Sequence, residues 1–189
     1  MSIRAEQKSR SREGILDAAA RLVRERGIAG ARVADVMQGA GLTVGAFYAH
    51  FASKEQLVDE ALRRTSRALR ERLLSRLDEK PAADRAEVVL KRYLCAANRD
   101  EQTLGCPFPA VVGEIATTAP EHGPVLGEQV EELREALAEH LPKERRHLAL
   151  GLVALMIGGL SLARALRGTP LSDDVLKSCR ALGAAITKG

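Results

Sequence analysis

Thr43, His50 and Lys54 lie within the stretch Arg32–Glu55, RVADVMQGAGLTVGAFYAHFASKE, and each carries a donor suited to a phosphate oxygen. Thr43 brings a hydroxyl to the start of an expected helix and His50 an imidazole to its end. Lys54 adds an ammonium to the amide groups and dipole of the next helix N-terminus, three effects that favour the same anion. Gly45 lets a backbone approach a partner closely; as a mere filler in a short helix it would cost up to about 1 kcal/mol. Val44 and Ala46 are candidates for apolar contact with base edges or thymine methyls, and Arg32 is a further candidate phosphate contact. The expected helix lacks Arg, Asn and Gln, the usual bidentate base readers. Specificity then falls to few contacts, to flanking residues or to DNA shape.

These groups need elements to hold them. Val33, Val36, Met37 and Ala40 fall at i, i+3, i+4 and i+7, one face of a helix. Gly39-Ala40-Gly41 breaks it, with Gly41 suited to the left-handed conformation. Thr43 is placed as N-cap of a second helix of about two turns, on which Phe47 and Phe51 turn inward while Val44, Ala46, Tyr48 and His50 stay outside. Helix, glycine turn and helix is the arrangement that sets a recognition helix in a DNA major groove. Ser53 to Gln56 then match a capping box. It opens a long helix expected over residues 53–79, carrying Val58, Leu62, Leu69, Leu73 and Leu77 and ended by Pro81. At about 1.5 Å per residue it spans on the order of 37 Å, enough to join a head to a body. Upstream, residues 1–8 read as a loose basic arm, with Arg4, Lys8 and Arg10 candidates for backbone or minor-groove contact. Ser9 or Ser11 opens a helix with Ile15, Ala18, Ala19, Leu22 and Val23 on one stripe and Gly27 closing it. Arg12, Arg21 and Arg24 sit on its outer face, the last two read as solvated.

The 189 residues carry no Trp, two Tyr and three Phe, and Leu, Ala, Arg, Glu and Val dominate, a mix that favours an all-α fold. Residues 1–55 hold nine Lys/Arg against six Asp/Glu, a net +3 of the chain's formal +4. The basic excess thus sits on the segment already suspected of meeting phosphates. Three widely spaced cysteines (Cys95, Cys106, Cys179) suggest neither a disulfide framework nor a zinc site, and they fit a reducing cytoplasm. No cofactor is implied. The N-terminus has no apolar core of a signal peptide, and the uncharged run Leu148–Ala163, with three glycines, reads as a core or interface helix rather than a membrane span.

Asp35-Val36, Ala40-Gly41-Leu42-Thr43, Gly45, Phe47-Tyr48, His50-Phe51 and Ser53-Lys54-Glu55, in fixed register, resemble the N-terminal domain of the TetR family of transcriptional regulators. The resemblance covers about residues 9–62. It implies double-stranded operator DNA as a partner, with Tyr48 as the family's phosphate- or base-contacting tyrosine. It also implies a three-helix DNA-binding domain at 1–55 and a helical dimerisation and ligand-binding domain at 56–189, about nine helices in all. Arg32 is the departure: most relatives have Thr or Ser there to cap the second helix, and Arg cannot.

Beyond Pro81, Asp84 is a candidate cap for a helix with Val88, Val89, Tyr93 and Ala96, and Asn98–Gln102 reads as a polar connection. Gly105-Cys106-Pro107 starts another helix, whose opening turn Pro109 would distort, and 119–124 reads as a loop. Further helices carry Val130, Leu133, Leu137 and Leu141, then residues 143–167, then 172–187 capped by Ser172 or Asp173. The last two are expected to build a four-helix homodimer interface, Gly151, Gly158 and Gly159 permitting close crossing, and two-fold symmetry lets two heads meet successive major grooves. Tyr93, Phe108, Val111, Val112, Ile115, Leu133, Leu137, Leu152 and Met156, with Cys106, are candidates to line a pocket for a largely apolar small effector. Cys106 precedes a helix start, where the dipole lowers a thiol pKa, and it resembles the electrophile-responsive branch of the family. The leading expectation is a ligand-responsive dimeric repressor without catalytic residues. The alternatives are a repressor triggered at the Cys106 thiol and, remotely, a hydrolase with Cys106 as nucleophile and His122 or His147 as base.

Overall fold

Gly27 sets the first boundary of the molecule. In the computed structural model, which describes residues 3–101 and 105–188, helix α1 runs Ile3–Gly30 and breaks at Gly27, where φ is 73 and ψ is −174. That region of backbone space is open essentially to glycine. The helix begins at Ile3, so the expected loose arm is helical from residue 3 on; Met1 and Ser2 lie outside the described residues. Residues 5–10 are exposed on every side, which is why their sequence shows no apolar stripe.

Helix α2 (Val33–Gly39) ends as its glycines foretold. Gly41 takes φ 69, its amide donates to the Gln38 carbonyl at 3.0 Å, and the Leu42 amide donates to the Met37 carbonyl at 2.9 Å. This is a Schellman closure, with Gly41 in the left-handed position. A six-residue 3-10 helix, Val44–Ala49, follows. Helix α3 (Lys54–Leu74) opens on the expected cap: Ser53 Oγ accepts the Gln56 amide at 3.2 Å. The reciprocal bond falls one residue early, with the Ala52 amide donating to Gln56 Oε1 at 2.8 Å. At its far end α3 stops at Leu74, short of the expected residue 79. Arg92 ends it by donating to the carbonyls of Leu73 and Ser75 at 2.6 and 2.7 Å, and Arg76 reverses the chain at φ 54. The helix is thus 21 residues, about 31 Å at 1.5 Å per residue.

The remainder is α4 (Arg85–Tyr93), α5 (Ala96–Asp100), α6 (Phe108–Thr117), α7 (Gly123–Ala138), α8 (Ala149–Ala165) and α9 (Pro170–Lys188), nine α-helices among the described residues. Several boundaries differ from expectation. Asp84 is already helical in backbone and its side chain makes no cap bond; Ala96 belongs to α5, across a break at Leu94-Cys95. Asn98, expected in a connection, is buried in α5 and donates to the Tyr93 carbonyl at 2.7 Å; Gln102 lies outside the described residues. Pro109 sits in the first turn of α6, where its missing N–H is one the helix leaves free, so the turn is regular. Residues 120–122 form a 3-10 turn and α7 starts directly after it. Ser172 does not cap α9, which begins at Pro170. Its hydroxyl bridges instead, donating to the Ala163 carbonyl at 2.7 Å and accepting from Arg99 at 2.9 Å.

Two apolar cores result. One joins Ile15, Leu22 and Val23 of α1, Val36 and Met37 of α2, Phe47, Phe51, and Leu57, Val58 and Leu62 of α3. Val111 and Ile115 of α6 and Val125 of α7 complete it. The other joins Leu69 and Leu73 of α3, Leu90, Tyr93, Phe108, Leu133, Leu137, Leu152, Met156, Leu160 and Leu176. Lys143–Ala165 taken together has the length and hydropathy of a membrane-crossing segment. Here its first six residues, five of them ionisable, form a separate 3-10 turn, and Leu152, Val153, Met156 and Leu160 fill the second core.

Gly27→Ala tests the first boundary. A Cβ there would lie 1.8 Å from Glu114 Oε1, on a backbone only glycine adopts freely. Urea unfolding should show a loss of about 1–3 kcal/mol; an unchanged midpoint would refute the account.

Candidate nucleic-acid interface

The outward groups of the head are held by two inward rings. Phe47 and Phe51 are buried and stack with centroids 5.9 Å apart. The Phe47 carbonyl accepts from both His50, at 2.9 Å, and Phe51, at 3.1 Å, so the 3-10 turn bends to bring both rings to one side. Tyr48 packs edge-on against Phe47 at 5.2 Å and leaves its phenol outside, 76 % exposed. Arg12 clamps the assembly from α1, 4.7 Å above the Phe51 ring and bonded to both Glu60 oxygens at 2.7 and 2.5 Å. Sequence had no local signal for that clamp, because its partners stand 48 positions apart.

The expected recognition helix of about two turns is therefore a tighter element, and this changes Thr43. Its carbonyl takes the Ala46 amide at 3.0 Å, the group a capping hydroxyl would bind, and its side chain makes no cap bond. The Thr43 hydroxyl is left exposed and uncommitted. Val44 and Gly45 are exposed beside it, whereas Ala46 is half-buried against the core. Nothing in the protein lies within 4 Å of where a Cβ on Gly45 would stand, so the fold itself does not require glycine there. Arg32 is exposed and makes no cap bond to α2, as its chemistry dictates. His50 ends the turn half-buried, with Nδ1 buried and without a hydrogen-bond partner. Lys54 differs from expectation: its ammonium donates to the Ile28 carbonyl at 3.0 Å, just past the break in α1, and so spends one of three donors inside the head.

Arg21 and Arg24 part company. Arg21 is a surface residue that pairs with Glu25 at 3.6 Å. Arg24, expected to be solvated, is half-buried and donates to Thr65 Oγ1 at 3.2 Å, and burial lowers its pKa below the usual range.

In the body, seven of the ten candidate pocket residues come together in the second core: Tyr93, Cys106, Phe108, Leu133, Leu137, Leu152 and Met156. Val111 and Ile115 point instead into the head core, and Val112 is exposed. None of the ten lines the cleft of about 420 Å³ bordered by Arg72, Arg92, Cys95 and Asn98. The Tyr93 hydroxyl is buried beside the Cys106 thiol. Cys106 fits a small residue packed at a helix opening and not the activated thiol considered beside it. It is 0 % exposed, and burial pushes its thiol up to about 11, overriding the helix start at Phe108. His122, the first base considered for it, is buried and engaged by Asp59 at 2.7 Å, while His147 lies exposed before α8.

A Schellman-closed helix, a short exposed turn anchored by two buried rings, and a capped long helix leading into a separate helical core define a helix-turn-helix protein with a helical body. Residues 15–61 match the tetR family of bacterial regulatory proteins. The head carries the signature of the TetR family. Over 54 residues the chain is 50% identical to the HTH-type transcriptional repressor KstR2 of Mycobacterium tuberculosis, covering 28% of this chain and 27% of that one. The matched region thus spans about a quarter of that curated relative. Over 176 residues it is 29% identical to the HTH-type transcriptional regulator BetI of Cronobacter sakazakii, covering 88% and 85% of the two chains. The fold matches a TetR-family transcriptional regulator from Cytophaga hutchinsonii at a TM-score of 0.80 and 21% identity, over 100% of this chain and 98% of that one.

With a thiol pKa of about 11, only about one Cys106 in ten thousand is a thiolate at pH 7. Brief iodoacetamide labelling of the native protein followed by peptide mapping should leave Cys106 unmodified while the half-buried Cys95 and Cys179 react first. Rapid native labelling of Cys106 would overturn this reading.

Proposed function

We propose that this protein is a dimeric repressor of transcription that binds a palindromic operator and is released by a small, largely apolar effector. The observation that carries the reading is the head's division of labour: Phe47 and Phe51 are buried while Thr43, Val44, Gly45 and Tyr48 stand exposed on one short turn. In this reading Thr43, Tyr48, Arg32 and the remaining donors of His50 and Lys54 position the phosphate backbone. Val44 meets base edges or thymine methyls, and half-buried Ala46 contributes at most a margin. Gly45 admits the DNA backbone. The DNA-binding domain is taken as residues 1–55 and the effector and dimerisation domain as 56–189, acting in the cytoplasm.

The partner in the dimer is a second copy. Leu150, Gly151, Ala154, Gly158 and Leu162 form an exposed stripe on α8, and Leu171, Ser178, Leu182 and Ala185 form one on α9. Leu150, Leu162 and Leu182 are each about half exposed, an unusual density of apolar side chains on two adjacent helices. Gly159 differs from the other two glycines, since a Cβ there would meet Cys179 Sγ at 2.7 Å, so it serves the crossing of α8 and α9 within one chain. The effector is placed among Tyr93, Phe108, Leu137 and Met156. These are packed closed, so an effector acts by stabilising a more open arrangement in which DNA binds less well.

Selection of bound fragments from random DNA should yield a palindrome with half-sites about one helical turn apart. Tyr48→Ala should weaken binding to that fragment on the order of tenfold. Gly45→Ala is the sharper test: folding stability should hold or rise by up to about 1 kcal/mol while DNA affinity falls. Unchanged DNA affinity in both variants would remove the head from the interface.

Leu162→Glu combined with Leu182→Glu should give a monomer by sedimentation velocity with its helical signal intact, because neither side chain belongs to a core. A persistent dimer would place the interface elsewhere.

A further inference from the structure

Helix α6 buries Phe108 in the body core and, within two turns, Val111 and Ile115 in the head core. Between those positions Glu114 reaches the broken end of α1. Its Oε2 accepts the Ala29 amide at 2.8 Å, and its Oε1 occupies the space that any side chain on Gly27 would need. Gly27 therefore both turns the chain and admits the carboxylate. On the other side of the same segment, the Ile28 carbonyl accepts the Lys54 ammonium at 3.0 Å. Lys54 is the first residue of α3, four positions past the end of the exposed turn at His50. The segment Ile28–Gly30 is thus held between a residue of α6 and a residue next to the proposed DNA-contacting turn.

The contacts along α6 differ in what they can sense. Apolar contacts at Val111 and Ile115 are non-directional and survive a small slide of the helix. A carboxylate bond to an amide is charge-assisted and directional, and a displacement of about 1 Å carries a bond of this length out of hydrogen-bonding range. Apolar packing keeps α6 on the head, and Glu114 distinguishes one position of α6 from another. We infer that Glu114 is the coupling contact of this protein. Through it, a change in the body core around Phe108 passes by way of Ile28–Gly30 and Lys54 to the head. The inference rests on the repressor reading above and names how that regulation is transmitted.

The test is a double-mutant cycle on the full-length chain, read as affinity for the DNA fragment that the wild type selects from a random pool. Phe108→Leu disturbs α6 from the body side and stands in for an effector. It should weaken DNA binding on the order of tenfold when Glu114 is present, and by about twofold or less in the Glu114→Ala background. Glu114→Gln keeps an oxygen for the Ala29 amide and should restore most of the Phe108→Leu effect. Effects of Phe108→Leu and Glu114→Ala that simply multiply overturn the inference while leaving DNA binding in place. A wild type that selects no DNA defeats the repressor reading itself, and the inference with it. Hydrogen exchange supplies a measurement independent of whether Glu114→Ala folds. Phe108→Leu should speed exchange at the Ala29 amide, and unchanged protection there counts against the coupling.

Discussion

The molecule depends on three helices that each have one end in the head core and the other in the body core. Helix α3 contributes Leu57, Val58 and Leu62 to the first and Leu69 and Leu73 to the second; α6 contributes Val111 and Ile115 to the first and Phe108 to the second; α7 contributes Val125 to the first and Leu133 and Leu137 to the second. A fully buried Val, Ile or Leu is worth about 1.5–3 kcal/mol relative to exposure. The two side chains of α6 therefore anchor it to the head with several kcal/mol, an upper figure because unfolded chains bury some surface already. That exceeds the 1–3 kcal/mol typical of coupling between sites. The apolar contacts hold α6 on the head, beside smaller directional ones such as that of Glu114 with the Ala29 amide.

The head itself shows how few side chains need be fixed for others to be free. Burial of Phe47 and Phe51 determines the direction of the turn, and the Arg12–Glu60 clamp closes over Phe51. With the rings inward, the phenol of Tyr48 and the hydroxyl of Thr43 have no place in the core and face out. The tight 3-10 turn satisfies the Ala46 amide through the Thr43 carbonyl, which releases a hydroxyl that an α-helical start would have consumed. Lys54 goes the other way, since the break at Gly27 leaves an accessible carbonyl at Ile28 that draws its ammonium inward.

In the body, one apolar helix has two unlike faces. Alternate faces of α8 carry Leu152, Met156 and Leu160 inward and Leu150, Ala154 and Leu162 outward, so its near-uniform hydrophobicity covers an exposed face as well as a buried one. The thiol at Cys106 lies on the inner side of this packing, where desolvation outweighs any benefit from the following helix start.

By itself the sequence determined what depends on neighbours in the chain. The glycine closure of α2, the Ser53 cap, the inward pair of phenylalanines, the all-helical class and an apolar helix over the run 148–163, though not its bounds of 149–165 in place of 143–167, follow from residue type and spacing over one or two turns. Tertiary structure alone decided what depends on residues dozens of positions apart. Helix α3 stops at Leu74 because Arg92 meets its last carbonyls; Arg24 is half-buried because it reaches Thr65 on α3. Val111 and Ile115 serve the head because α6 packs on α1, and Cys106 is buried because the body core closes around it. Periodicity tells which side of a helix is apolar. It cannot tell which core that side will meet, because the choice is made by contacts the chain forms only after its local elements exist.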